Sequence, residues 1–296
     1  MKHMKYRKFI ETVKEHIEQE LQKKVYVYPV LKNNGTIYDG LVIIDPILNI
    51  SPTIYLNPYY HRYLEGITME DIYEDILKTY HDNLPHEDFD VSLFRDYTKA
   101  RERIVMKLIN AEKNKRLLQH VPHILIHDLA IVFLCSVGDY IKEFATILIY
   151  NQHLNLWDVT VDELYDAAKE NTPVILPARL DNLHDVFEHI TDESLPFLEE
   201  LNISILTNRI RVHGATSMIY PGVLEEIAEI YEDDIVILPS SIHDVLVFPQ
   251  SSFPEEYSLD GLNTMIQDVN ETQLTDAEVL SDHLYYYHRD TKEITY

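Results

Sequence analysis

Glycine and cysteine are scarce in this sequence, and both shortages limit the chemistry the chain can support. Only 7 of the 296 residues are glycine, and Cys135 is the single cysteine. Few glycines argue against phosphate-cradling loops, and the sequence has no Walker-type, Gly-x-Gly-x-x-Gly, Gly-x-Ser-x-Gly or His-Glu-x-x-His motif. One cysteine excludes an intramolecular disulfide, which favours a reducing compartment. The motifs of many familiar enzyme classes are therefore absent.

Long apolar segments are also missing. No run approaches the ~18–20 residues that cross a membrane as a helix. The N-terminal segment MKHMKYRKFIETVKEH is amphipathic and lacks the apolar core of a signal peptide. We therefore expect a soluble, cytoplasmic protein.

Positive charge is scarce in the later part of the chain. Residues 1–116 hold 18 basic and 18 acidic residues, whereas residues 117–296 hold 7 basic and 32 acidic ones, so the net charge of −25 arises in the later part. An acidic surface repels phosphate backbones and anionic lipid. The composition predicts no direct binding to nucleic acid or membranes and favours a basic protein partner. The alternative is that the charge serves solubility alone.

Helical and strand patterns are interleaved along the chain. Apolar residues at helical spacing predict helices that include Tyr6–Leu21 and Met69–Tyr80. Two β-rich runs around Asn33-Asn34-Gly35 predict a hairpin, because Asn and Gly tolerate the positive φ of its turn. Capping boxes are predicted at Thr160-x-x-Glu163 and Thr275-x-x-Glu278. Residues 95–118 are predicted to be helical for much of their length, with a strand at 103–109 as the alternative.

Two nearly continuous apolar runs, Leu129–Val137 and Ala145–Tyr150, predict buried antiparallel strands, and the chain closes on a predicted hairpin around Arg289–Lys292. Tight turns between neighbouring strands favour an α+β fold with mixed, largely antiparallel sheets flanked by amphipathic helices. The charge shift suggests a charge-balanced helical and hairpin lobe at 1–116 and an acidic α+β lobe at 117–296. Both lobes are expected to belong to one continuous structural unit.

One candidate catalytic group lies between two predicted strands. Ser241, His243 and Asp244 are the residue types of nucleophilic hydrolysis. Their adjacency proves nothing, because such triads depend on geometry from distant segments. Serine and aspartate are also common in turns, where their side chains bond nearby backbone groups. The turn interpretation is the stronger of the two.

Two further groups combine histidine with aspartate. His123, His127 and Asp128 could supply metal ligands, since residues four apart share a face. The simpler interpretation is that they cap a buried strand. Asp282 and His283 suggest a metal or acid–base role less strongly than a solvated strand end. No cofactor is predicted, and Cys135 is expected to be an inert core thiol because apolar burial raises a thiol pKa.

Several segments together resemble an uncharacterised bacterial family, a domain of unknown function widespread in gut Clostridia. The resemblance covers the chain from about residue 25 to its end, and it is carried by SPTIYLNPYY (51–60), DLAIVFLC (128–135), ATILIYNQHLNLW (145–157), AKENTP (168–173), YPGVLEE (220–226), LPSSIHDVLVFP (238–249) and VLSDHLYYY (279–287). It implies a bacterial cytoplasmic protein carried on mobile elements, and it transfers no catalytic residues.

Two hypotheses follow for the function. The charge asymmetry favours a non-enzymatic protein that engages a basic protein partner, in the extreme case by mimicking nucleic acid. The alternative is a hydrolase or metal-dependent enzyme in which the His/Asp/Ser groups converge at strand ends. We prefer the first, and whether these groups meet in space is the discriminating observation.

Overall fold

A computed structural model describes residues 3–84, 92, 95–137, 145–183, 202–252 and 259–296. It confirms an α+β fold, with three antiparallel sheets in the described chain. Residues 1–32 and 36–92 form one compact unit, here unit 1, and residues 33–35 and 93–296 form unit 2. The charge shift near residue 116 lies within unit 2.

The helices are mostly short and amphipathic. Unit 1 contains α1 (Tyr6–Leu21), α2 (Leu56–Leu64) and α3 (Met69–Asp82). Unit 2 contains α4 (Tyr97–Arg101), α5 (Lys115–Leu118), α6 (Asn151–Trp157), α7 (Val161–Ile175), α8 (Val223–Tyr231) and α9 (Leu259–Thr272). Within the described residues, no helix has the length and apolar character needed to cross a membrane.

The strands form one sheet in unit 1 and two in unit 2. The first sheet contains β1 (Lys24–Leu31), β2 (Ile37–Ile44) and β3 (Thr53–Tyr55) in that order. The second has the order β4-β6-β5 with β7 beside β6, from β4 (Ile104–Asn110), β5 (His123–Ile126), β6 (Leu129–Ser136) and β7 (Thr146–Leu148). The third has the order β13-β12-β10-β11-β9-β8, from β8 (Ala178–Asn182), β9 (Ser204–Asn208), β10 (Ile235–Pro239), β11 (Val245–Pro249), β12 (Tyr285–His288) and β13 (Glu293–Thr295).

The core of unit 1 lies between helices and one face of the first sheet. Phe9, Val13 and Ile17 recur every four residues on α1, and all three are fully buried. Burying each such side chain contributes roughly 1.5–3 kcal/mol. The predicted Asn-Gly hairpin is confirmed, with Asn34 and Gly35 at φ values of 56° and 71°.

The second sheet is built around β6, every residue of which is buried. The prediction of helix through residues 104–110 was wrong, and the strand alternative was right, because Ile104–Asn110 pairs along its length with β6. β4 is an edge strand, and two of its outward N–H groups are satisfied by buried hydroxyls. Met106 N–H donates to Thr172 Oγ1 and Leu108 N–H to Thr216 Oγ1, both at 3.0 Å. These two bonds make the middle of this edge unavailable to another strand.

The antiparallel pairing of the two apolar runs and the final hairpin are confirmed. β6 pairs with β7, and β12 pairs with β13 across residues 289–292. β7 is shorter and less buried than predicted. α7 continues to Ile175, with Pro173 in its last turn.

The two predicted capping boxes have different outcomes. Thr160 Oγ1 accepts from Glu163 N–H, and Glu163 Oε2 accepts from Thr160 N–H at 2.8 Å, so α7 begins as predicted. Glu278 Oε2 also accepts from Thr275 N–H, at 3.1 Å. The residues after Thr275 form a turn rather than a helix, so the second box closes a turn.

Candidate functional site

The structure places Ser241, His243 and Asp244 in the five-residue loop between β10 and β11. Ser241 N–H donates to the Asp244 carbonyl at 3.1 Å, and His243 N–H donates to Ser241 Oγ at 2.9 Å. The serine hydroxyl is thus used in a local turn, and its side chain also lies 3.5 Å from Asp244 Oδ1. These are the hydrogen bonds that make serine and aspartate common in turns.

The ring of His243 faces another histidine rather than the serine. It stacks on His213 with ring centres 5.8 Å apart, and its Nδ1 accepts from His213 N–H at 3.3 Å. A hydrolytic triad needs the imidazole hydrogen-bonded to the nucleophile. Among the described residues, the hydrogen bond between Ser241 and His243 runs through the backbone N–H instead. The loop therefore lacks the geometry of a triad.

A glycine fixes the position of this loop. The His243 carbonyl accepts from Thr207 Oγ1 at 2.8 Å. A Cβ on Gly214 would lie 2.1 Å from that Thr207 oxygen and 2.4 Å from the His243 carbonyl oxygen. Glycine is required at position 214 because the Thr207 hydroxyl and the His243 carbonyl lie too close to its Cα for any side chain to fit.

The candidate metal ligands His123, His127 and Asp128 are not brought together. Ile126 pairs with Leu129, so His127 and Asp128 are a two-residue turn between β5 and β6, with His127 at φ 55°. His123 Nδ1 lies 3.0 Å from the Val121 carbonyl, and His127 Nε2 lies 2.9 Å from the Ile294 carbonyl. In the part of the chain that the structure describes, no three His, Cys, Asp or Glu side chains could hold a metal ion.

Asp128 instead meets residues from the end of the chain. Its Oδ2 accepts from Ser281 Oγ at 3.0 Å and lies 3.2 Å from His283 Nε2. Its Oδ1 accepts from the Tyr285 hydroxyl at 2.6 Å. We refer to Asp128, Ser281, His283 and Tyr285 as the Asp128 cluster.

Aromatic rings cover the histidine of this cluster. Tyr296 stacks on His283 with ring centres 4.9 Å apart and an interplanar angle of 24°. Tyr296 also contacts the edge of His127, at 5.0 Å. Ser281, His283 and Tyr285 are spaced by two, which sequence analysis could have noticed. Their partner Asp128 is more than 150 positions away, and no local signal links them.

The electrostatics of the cluster favour the charged forms of both His283 and Asp128. His283 Nε2 faces the Asp128 carboxylate and Nδ1 faces the Leu284 carbonyl at 3.0 Å, so both ring nitrogens have acceptors and the imidazolium satisfies both. The hydrogen bond to Asp128 raises the pKa of His283, with burial opposing it. Burial acts to raise the pKa of Asp128, but bonds from His283, Tyr285 and Ser281 together lower it.

The hydrogen bonds of the Asp128 cluster are those of a structural contact between distant segments. Burial, together with the bond to Asp128, raises the pKa of Tyr285 far above its usual range, so the hydroxyl stays protonated and donates. Ser281 is fully buried, which keeps its hydroxyl away from substrates. The carboxylate receives three donors and has little capacity left for a ligand. The cluster joins the β5–β6 turn to the segment leading into β12.

A second feature lies on the outer side of α8. Leu224, Ile227 and Ala228 face the core, and the opposite side carries exposed carboxylates. We call it the acidic face of α8, defined by Glu225, Glu226, Glu229 and Glu232. Within it, Ile230 keeps 64% of its surface exposed.

Two of these carboxylates are paired with the final hairpin. Arg289 binds Glu229 through two bonds, of 2.9 and 3.4 Å, and Lys292 binds Glu225. The hydrogen bond from Arg289 lowers the pKa of Glu229. In the described part of unit 2, Glu226 and Glu232 form no salt bridge. Glu232 is still close enough to Arg289 to help raise the pKa of that arginine, so Glu226 is the carboxylate of the acidic face that lies beside the exposed isoleucine without a cationic partner in the described residues.

The fold and these features define an α+β protein whose described residues include neither a metal cluster nor a hydrolytic triad. The chain belongs to a family of unknown function, DUF5688, whose model matches residues 6–289. Comparisons with curated proteins and with solved structures give no match.

Proposed function

We propose that this chain is a non-enzymatic acidic interaction protein that binds a basic protein partner through the acidic face of α8. The observation that carries the proposal is the exposed Ile230 among four glutamates on one helix surface. Protein interfaces combine a central apolar contact with a polar rim, and this helix presents both.

The geometry of the helix sets what a partner must offer. Glu226 precedes Ile230 by one turn, so the two side chains are neighbours on the surface. An apolar side chain flanked by lysine or arginine would complement them. The net charge of −25, which arises in residues 117–296, would steer such a partner and speed its association.

Local energetics also support a role beyond folding. Glu232 ends α8 in the left-handed conformation, at φ 55°, where glycine is preferred. Its negative charge also opposes the helix dipole, an unfavourable interaction of about 0.3–1 kcal/mol. Residues that break a local rule without a structural gain are expected at functional surfaces.

The proposal extends to the class of partner and the compartment. Nucleic-acid mimicry is the extreme form, in which the partner is itself a nucleic-acid-binding protein carried with or against a mobile element. A reducing cytoplasm suits a chain whose one cysteine is buried as a free thiol.

The test uses as its probe a basic amphipathic helical peptide that carries leucines on one face and lysines on the other. A variant with Glu226→Lys, Ile230→Ser and Glu232→Lys should lose most binding, because it removes the apolar contact and reverses the charge of the two glutamates that form no salt bridge in the described residues. The matched control is Asp162→Lys with Asp166→Lys on the exposed side of α7. It changes the net charge of the protein by the same amount.

Titration by fluorescence anisotropy at several salt concentrations separates the outcomes. The proposal expects the α8 variant to bind weakly and the α7 control to bind like the parent protein. Equal losses in both variants would mean that the peptide senses net charge alone, which would refute a defined surface on α8.

A further inference from the structure

The outward face of the sheet in unit 1 differs in composition from the rest of the chain. Residues opposite one another in an antiparallel pair share a face, and the register matches Tyr26 with Val42, Tyr28 with Gly40, and Gly40 with Tyr55. The face opposite the core therefore carries four tyrosines and two lysines, which we call the tyrosine face: Tyr26, Tyr28, Tyr38, Tyr55, Lys24 and Lys32.

The rings of the tyrosine face are accessible. Tyr26 is 52% exposed and Tyr28 is 44% exposed, on neighbouring outward positions of β1. Tyr38 packs its edge against Tyr55, with ring centres 5.8 Å apart. Gly40 has no side chain at the centre of the face, and a Cβ there would lie only 2.6 Å from the Thr53 methyl group. The face is a shallow aromatic surface rather than a closed pocket.

The charge of this face is positive, against the trend of the chain. Lys32 Nζ lies 4.1 Å from the centre of the Tyr55 ring, a cation–π contact that holds its charge over the face. In the described part of unit 1, neither Lys24 nor Lys32 forms a salt bridge. The nearest strand carboxylate, Asp39, is opposite Pro29 on the core side and accepts from the Tyr6 hydroxyl at 2.8 Å. An anionic occupant would meet no carboxylate on the strand positions of this face.

The β1 edge of the sheet is poorly suited to binding a ligand as an added strand. The N–H of Lys32 donates to the Thr36 carbonyl, so the even-numbered residues of β1 pair with β2 and the odd-numbered ones point away. One outward N–H, that of Val25, donates to Glu18 Oε1, and Pro29 has no N–H to offer. An added strand would find two of the four outward N–H positions of β1 unavailable, which disfavours pairing along this edge and favours contact with the face itself.

We propose that the tyrosine face binds single-stranded nucleic acid, with bases stacked on the tyrosine rings and phosphates held by Lys24 and Lys32. An occupant that is both anionic and planar matches this chemistry better than an acidic peptide, which has the charge without the rings. Stacking on exposed aromatic side chains beside lysines is how proteins bind single strands without reading sequence.

The composition predicts that the protein as a whole repels phosphate, and this assignment departs from that expectation on local grounds. Residues 1–116, which include every residue of the tyrosine face, hold 18 basic and 18 acidic residues, so this part of the sequence carries no excess of acid. The site is also independent of the acidic face of α8, so each proposal can fail alone.

The experiment measures binding of the full chain to a labelled single-stranded oligothymidylate by fluorescence anisotropy. Tyr26→Ala and Tyr28→Ala should each weaken binding about 5-fold or more, since stacking one base contributes about 1–3 kcal/mol. Tyr26→Phe and Tyr28→Phe keep the rings and should bind nearly as tightly as the parent. Thermal unfolding of each variant verifies that these exposed substitutions leave unit 1 folded.

Salt dependence tests the lysines separately. Lys24→Gln and Lys32→Gln should each reduce the slope of log K against log salt by about 0.7, the value for one phosphate contact on a single strand. Lys169→Gln and Tyr150→Ala, at exposed positions in unit 2, are the matched controls and should change neither affinity nor slope.

Three results would overturn the proposal. Equally tight binding of duplex DNA of the same length would exclude stacking. Parent-like binding by the tyrosine variants would place the ligand elsewhere. Binding of a poly-glutamate peptide through the tyrosine face, without binding of the oligonucleotide, would make the face a protein docking surface.

Discussion

The ion pair between His283 and Asp128 makes the stability of unit 2 depend on pH. His283 has a pKa above its unfolded value of about 6.5. Its contribution is therefore fully present below that value and is lost as pH rises through the folded pKa. Asp128 has a lowered pKa, so its own contribution persists until the pH falls below the usual range of an aspartate.

The size of the effect can be worked out from the geometry. A hydrogen bond to a charged group contributes about 1.5–3 kcal/mol, and the 3.2 Å separation with side chains 27–28% exposed places this one at the low end. We expect His283→Gln to lower the free energy of unfolding of unit 2 by about 1.5 kcal/mol near pH ~5.5. The loss should be smaller at a pH well above the folded pKa of His283, where the neutral ring keeps only an uncharged hydrogen bond to Asp128.

A second variant separates titration from simple loss of packing. Tyr285→Phe removes the 2.6 Å hydrogen bond to Asp128 Oδ1, and that hydroxyl does not ionise below pH ~10 because its pKa is raised. Tyr285→Phe should therefore destabilise the protein by a similar amount near pH ~5.5 and at a pH well above the folded pKa of His283. Denaturant unfolding supplies the free energies, and NMR titration of the His283 ring supplies its pKa. A His283 that titrates at or below 6.5 would refute the reasoning.

Three further predictions concern single positions. Gly214→Ala should destabilise unit 2 by about 3 kcal/mol, measured by denaturant unfolding, because its Cβ would overlap Thr207 and the His243 carbonyl; a near-neutral result would mean that the loop shifts freely. Glu232→Gly should raise the free energy of unfolding by about 1 kcal/mol by relieving a left-handed conformation, and a loss instead would show that its charge stabilises α8. Burial raises the pKa of Cys135 to about 11, so alkylation at neutral pH should proceed only as fast as the native protein opens, and rapid labelling would contradict a closed core.

Local sequence signals predicted the elements whose geometry is local. Asn34 and Gly35 supplied the positive φ values of the first hairpin, and Thr160 with Glu163 marked the start of α7. The Thr275 and Glu278 pair made the same bonds without a helix, because the chain turns directly afterwards. A capping box fixes only its own four residues, and the conformation of the next residues depends on tertiary contacts.

Elements that depend on distant partners were harder to predict. Residues 104–110 adjoin charged segments that favour helix, yet pairing of Ile104 with Cys135 and of Asn110 with Leu129 makes them a strand. The turn at His127 and Asp128 lacks glycine and proline, so the sequence resembled one continuous strand. For the same reason the contact between Asp128 and His283 could not be foreseen, because it needs the β5–β6 turn and the segment before β12 in their folded positions.

Mapping the bound basic peptide on the protein tests the account most directly. An NMR titration with the lysine-leucine peptide should shift the backbone and methyl signals of residues 223–232, with Ile230 among the largest changes. The signals of α7, which carries comparable exposed carboxylates, should stay in place. Shifts centred on α7, or spread evenly over the acidic surface, would contradict a binding face on α8.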